Sequence, residues 1–154
     1  MSPLNFTHIL TQAVDELSES ESYKGLFHQH TDGNPLPSAK ALCDIIELAR
    51  SSIFPGYFGN STVNSRTVSY LIGVYVERLF DLLTEQILAG LCFGSDDECS
   101  CCTELQREEA ASIAARFISH LPELRRILAT DVEAAYNGDP AAHSFGEVIS
   151  CYPA

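Results

Sequence analysis

Apolar residues recur at intervals of three and four along most of this chain, and no segment sustains an alternation of apolar and polar residues. The first pattern places apolar side chains on one face of an α-helix, whereas a half-buried strand requires alternation. The sequence therefore predicts an all-α fold, a helical bundle of about five main helices plus a short C-terminal helix. With 154 residues the chain is long enough to form one domain, residues 1–154, with its own core.

Capping residues and helix breakers divide the chain. The first helix is predicted over about residues 5–18, and the second over about residues 38–53 with Ser38 as its N-cap. The third, about residues 65–91 after an Asn64 cap, is predicted to be the longest and to end near Gly90. Gly73 inside it is expected to permit the close approach of another helix or loop.

The C-terminal third contains the strongest local start signal. Thr103 and Gln106 form a predicted capping box, in which each side chain accepts a hydrogen bond from the backbone amide of the other. The helix that follows is expected to end at His120, and Pro122 is expected to open a fifth helix that stops at Gly138. The short C-terminal helix follows the Asp139-Pro140 step.

Charge and hydropathy exclude several partners. The net charge is −12, from 9 basic against 21 acidic residues, which disfavours nucleic acid and anionic membrane surfaces because both need Lys and Arg. The sequence shows neither a signal-peptide pattern nor an apolar run near the roughly 20 residues of a membrane span. A cytoplasmic location is expected, and with it six cysteines in the thiol form.

Two groups of residues could hold a metal. Cys92, Cys99, Cys101 and Cys102 supply four possible thiolate ligands, but their C-x6-C-x-C-C spacing lacks the usual paired C-x2-C knuckles. The second group is His28, His30 and Asp32, which lies in a polar loop where solvated side chains are the simpler interpretation. We therefore predict no metal site.

Asp139 is the strongest single candidate for a functional residue. A residue that precedes proline is pushed out of the α region, so its carboxylate should project from a fixed, extended corner. A purely structural interpretation fits equally: Asp139 would be an N-cap, and Pro140 would open the following turn. The spacing leaves both interpretations open.

One run, TDVEAAYNGDPAAHSFGEVISCYP at residues 130–153, resembles a segment of the serine O-acetyltransferases. In that family it joins the helical N-terminal domain to a catalytic left-handed parallel β-helix. Residues 36–63 and 70–87 are similar to the helical domain itself. The resemblance implies that residues 1–154 are this helical domain, with about residues 137–154 as the start of the linker to the β-helix domain.

The family transfers an acetyl group from acetyl-CoA to the hydroxyl of L-serine, in cysteine biosynthesis. Its general-base histidine and acetyl-CoA site lie on the β-helix, which this sequence does not reach. The resemblance thus implies no catalytic residue and no bound cofactor here, and it gives Asp139 a role in binding the ammonium group of L-serine. Family helical domains also pack trimers together, which implies self-association, in part through the apolar stripe of residues 65–91. The alternative is a stand-alone helical oligomerisation module without catalytic function.

Overall fold

The computed structural model describes residues 6–24, 36–59, 62–93 and 103–152. These residues form six helices: α1 (Phe6–Ser18), α2 (Ser20–Tyr23), α3 (Ala39–Ile53), α4 (Val68–Phe93), α5 (Glu104–Gly138) and α6 (Phe145–Cys151). Over the same residues no strand forms, and an isolated bridge joins Pro55 to Phe58 in the loop after α3. The predicted all-α class is confirmed.

The chain divides into two compact units, Met1–Gly33 and Asn34–Ala154. In the first unit, α1 has the predicted amphipathic pattern, and none of its residues is buried. Its exposed apolar side chains are Phe6, Ile9, Leu10, Val14 and Leu17. The second unit contains the remaining helices and the hydrophobic core.

The core of the second unit lies where α4 packs against both α3 and α5. Its buried members are Ile45 and Ile53 from α3, Leu79 from α4 and Leu121 from α5. Leu79 is completely buried, and burial of one such leucine side chain contributes about 1.5–3 kcal/mol. The apolar stripe of α4 therefore serves mainly the interior of this unit.

Hydrogen bonds between helices reinforce the packing. The backbone amide of Ser38 donates to Oε1 of Gln86 on α4 at 2.7 Å, and the guanidinium of Arg125 on α5 donates to the carbonyl of Ser52 on α3. Ser38 is also the predicted N-cap, since its Oγ accepts from the amide of Ala41 at 3.3 Å. These contacts hold both ends of α3 in place.

The predicted start signal of α5 is confirmed, but the predicted break in the middle of this helix is wrong. Oγ1 of Thr103 accepts from the amide of Gln106 at 3.2 Å, and Oε1 of Gln106 accepts from the amide of Thr103 at 2.8 Å. After this capping box, α5 continues for 35 residues without interruption, and Pro122 lies inside it. Leu121, directly before the proline, is buried in the core, and this packing outweighs the loss of one backbone hydrogen bond.

Two predictions about α4 are also corrected. This helix has 26 residues and continues past Gly90 to Phe93, so α5 exceeds it in length. A Cβ added at Gly73 would meet no atom within 4 Å, so none of the other described helices or loops approaches closely there. The Asn64 cap is present one turn before the regular helix, where its Oδ1 accepts from the amides of Arg66 and Thr67 at 2.9 and 3.2 Å.

The loop after α3 buries its three aromatic rings only in part. Phe54 and Phe58 are half-buried, whereas Tyr57 is exposed.

Among the helices in the described ranges, none combines the length and hydropathy needed to cross a membrane.

Candidate functional site

The candidate site is the corner between α5 and α6. Asp139 is the C-cap of α5 with φ −110° and ψ 109°, which is the extended backbone that Pro140 demands. Its amide donates to the carbonyl of Ala135 at 3.1 Å, and its own carbonyl accepts from Ala142 at 3.0 Å. The four residues from Asp139 to Ala142 therefore form a β-turn at the end of the helix.

Both oxygens of the Asp139 carboxylate are held. Oδ1 accepts from the amide of Ala141 at 2.8 Å, which makes an Asx-turn, and Oδ2 accepts from the hydroxyl of Tyr152 at 2.5 Å. The interpretation of Asp139 as a helix N-cap is corrected, because Ser144 caps α6 by accepting from the amide of Glu147 at 3.1 Å. Asp139 instead stabilises the turn, and its carboxylate has one fixed orientation.

These hydrogen bonds set the protonation states at the corner. The bond from Tyr152, and then that from the Ala141 amide, hold the pKa of Asp139 below its ordinary value. The same bond to Asp139, helped by burial and by nearby negative charges, raises the pKa of Tyr152 to about 12. At neutral pH the carboxylate is ionised and the phenol keeps its proton.

Helix α6 brings Tyr152 to Asp139 by folding back against the end of α5. Val148 is buried at this contact. The rings of Tyr136 and Phe145 meet edge to face, with centroids 4.8 Å apart and an interplanar angle of 64°. Nothing in the sequence pattern indicated Tyr152, because its role depends on this return of the chain across thirteen residues.

A cleft of about 720 Å³ adjoins the corner. Its walls come from the end of α3, the following loop, the second half of α5 and α6, and Tyr152 is one of its lining residues. The walls are mostly apolar, and two charged residues, Arg50 and Asp131, also line the cleft. Arg50 stacks over the ring of Phe58 at 4.0 Å from its centroid.

The two predicted metal candidates are only partly within the described residues. Cys99, Cys101, Cys102, His28, His30 and Asp32 lie outside them. Cys92, in the last turn of α4, is disulfide-bonded, so the expectation of free thiols is wrong at this position. The thiol expectation was based on a reducing compartment, and a compartment does not determine which cysteine sulfur atoms the fold brings within bonding distance. In the ranges that the structure describes, no group of three or more His, Cys, Asp or Glu is arranged to hold a metal.

Over the described residues the protein is all-helical, and an Asp-Pro turn with a fixed carboxylate joins α5 to α6. No family model matches the chain. Over 121 residues it is 36% identical to a protein of Synechococcus elongatus named "Serine acetyltransferase, plasmid". The match includes 77% of this chain and 38% of that protein. The chain is therefore homologous to part of a serine acetyltransferase, which confirms the resemblance.

Proposed function

We propose that this chain is the helical assembly and substrate-contributing domain of a serine O-acetyltransferase, which forms O-acetyl-L-serine from acetyl-CoA and L-serine. In this proposal the chain is not catalytic by itself, and the general base and the acetyl-CoA site belong to another part of the complete enzyme. The observation that carries it is the ionised Asp139 carboxylate, held in one orientation at the corner after α5.

The chemistry of Asp139 suits the ammonium group of L-serine. A carboxylate offers about four lone-pair positions, and the two hydrogen bonds from Ala141 and Tyr152 use two of them. Among the described basic side chains, none forms a salt bridge with Asp139, since the ion pairs are Arg50 with Glu47 and Arg126 with Glu123. The negative charge of Asp139 is therefore available to a cationic ligand.

Exposed apolar side chains support the assembly role. In the second unit, Leu42 and Ile46 lie exposed on α3, and Tyr70 and Val74 lie exposed on α4. The entire apolar face of α1 is exposed in the first unit. Apolar area of this kind is typical of surfaces that associate.

The substrate role can be tested by fusing this chain to the remaining part of the Synechococcus elongatus relative and measuring acetyl transfer. Asp139→Asn should raise the KM for L-serine about 10- to 100-fold, the usual value of a hydrogen bond to a charged group. Glu133→Gln, which neutralises an exposed carboxylate on α5 outside the cleft lining, is the matched control and should leave this KM unchanged. An unaltered KM and turnover in Asp139→Asn would exclude the substrate role.

The same exposed apolar faces favour the alternative, a stand-alone non-catalytic oligomerisation module. Size-exclusion chromatography with light scattering tests the assembly role that both share, and a monomer at all concentrations would contradict it. We also propose the cytoplasmic location that the sequence predicts, although a disulfide at Cys92 is unusual in a reducing compartment.

A further inference from the structure

Tyr152 lies at the corner although no local pattern places it there. Its hydroxyl donates to Oδ2 of Asp139 at 2.5 Å, across thirteen residues of chain. We propose that Tyr152 is a positioning residue, whose hydroxyl fixes the Asp139 carboxylate in the orientation that receives the ammonium group of L-serine. This inference rests on the proposed function of Asp139 and adds a second residue to the same site.

Two hydrogen-bond donors are needed to fix the orientation of the Asp139 carboxylate. The terminal torsion of an aspartate is broad, so a carboxylate with one hydrogen bond can still rotate. The Ala141 amide holds Oδ1 at 2.8 Å from the side of the turn, and the phenol of Tyr152 holds Oδ2 from the side of α6. With both oxygens fixed, one lone-pair position remains on each, and an ammonium group with three donors can bridge them.

The absence of charge on the Tyr152 side chain matters as much as its position. An arginine or lysine at this place would bind the carboxylate more strongly and also cancel its charge. The phenol remains protonated at neutral pH, because the pKa of Tyr152 is raised to about 12. It therefore donates a hydrogen bond and leaves the negative charge of Asp139 for the substrate.

The backbone at Tyr152 is itself held in place. Tyr152 is the C-cap of α6, and its amide donates to the carbonyl of Val148 at 3.2 Å. Val148 is buried against the rest of the unit, so α6 has a fixed position next to α5. Asp139 and Tyr152 are each half-buried, which leaves one side of the pair open to a ligand.

The first test uses the chain by itself and does not depend on any activity. In Tyr152→Phe, which removes only the hydroxyl, NMR titration of the Asp139 carboxyl carbon should show its pKa rising towards the ordinary value. Tyr136→Phe is the matched control, since it removes a hydroxyl from a ring that contacts Phe145 and leaves Asp139 untouched. An Asp139 titration that is identical in Tyr152→Phe and the parent would overturn the inference.

The second test uses the fusion protein. Tyr152→Phe should raise the KM for L-serine about three- to tenfold, with the KM for acetyl-CoA unchanged and a smaller effect on kcat. If Asp139→Asn impairs serine binding and Tyr152→Phe does not, the inference fails and the proposed function stands. If neither variant has an effect, the proposed function itself fails. A lower serine KM in Tyr152→Phe would mean that the phenol obstructs Asp139, and would also overturn the inference.

Discussion

The backbone amide of Ser38 donates to Oε1 of Gln86 at 2.7 Å, which ties the first residue before α3 to the last third of α4. The two residues are 48 positions apart in sequence, and Gln86 is buried. A buried side-chain amide in an otherwise apolar interface is unfavourable unless it is paired. This bond therefore fixes the register in which α3 lies along α4.

Loss of the Gln86 side-chain amide should destabilise the second unit. In Gln86→Leu the Ser38 amide loses its partner in a partly buried position, and the free energy of unfolding should fall by about 1–3 kcal/mol. Urea unfolding followed by circular dichroism measures this change. Glu85→Gln, at the exposed neighbouring position, is the control and should stay within about 0.5 kcal/mol of the parent. Equal stability of Gln86→Leu and the parent would show that the bond has no net effect.

Leu79 should be the most sensitive apolar position tested. Its side chain is completely buried between α3, α4 and α5, so Leu79→Ala removes packing and leaves a cavity. A decrease of about 2–5 kcal/mol in the free energy of unfolding is expected. Leu105→Ala is the control, because Leu105 is 74% exposed. Comparable losses in the two variants would contradict the position of the core.

Two glycines should respond in opposite directions to the same substitution. Gly73 lies inside α4 with open space around a Cβ, so Gly73→Ala should stabilise the protein by about 0.5–1 kcal/mol through helix propensity. Gly59 has φ +83°, and a Cβ there would lie 3.3 Å from Oγ of Ser51. Gly59→Ala should destabilise by about 1–2 kcal/mol or more. Thermal unfolding of the two variants separates these outcomes, and a shift of the same sign in both would be inconsistent with the structure.

The pair of Asp139 and Tyr152 should give the protein a specific alkaline transition. The folded pKa of Tyr152, about 12, is above its ordinary value of 10.0, so its contribution to stability is complete below pH 10 and disappears as the pH rises through 12. Urea midpoints measured between pH 9 and 12 should fall more steeply in the parent than in Tyr152→Phe. Tyr70→Phe, at a ring that is 77% exposed, should behave as the parent does. Parallel curves for the parent and Tyr152→Phe would show that the hydrogen bond does not contribute.

Features that depend on residues within one helical turn were predictable from the sequence. The caps at Ser38 and Thr103 are side-chain to backbone bonds over three residues, and the extended backbone of Asp139 follows from Pro140 alone. In each of these cases the neighbouring residues contain all the atoms that take part. Local spacing was therefore sufficient.

Features that depend on the packed chain were not predictable in this way. Pro122 was expected to separate two helices because proline disfavours a helix interior by about 3 kcal/mol. The buried side chain of Leu121, with Ile118 and Leu128 packed against the same cluster, outweighs that cost. Tyr152 escaped notice for the same reason, because its partner is set by the return of α6 to α5.

Because α5 is continuous, the position of its C-terminal end depends on how the middle of the helix is packed. At 1.5 Å per residue, the 35 residues of α5 extend over about 52 Å, and Asp139 lies about 26 Å beyond Pro122. Pro122 donates no hydrogen bond to the Ile118 carbonyl, so α5 resists bending least at this place. A bend of about 10° at that place would move the carboxylate by about 4 Å, more than the length of a hydrogen bond. Leu121 is buried in the core directly before the proline. Its packing thus fixes the middle of α5 and, through the helix, the position of the Asp139 carboxylate.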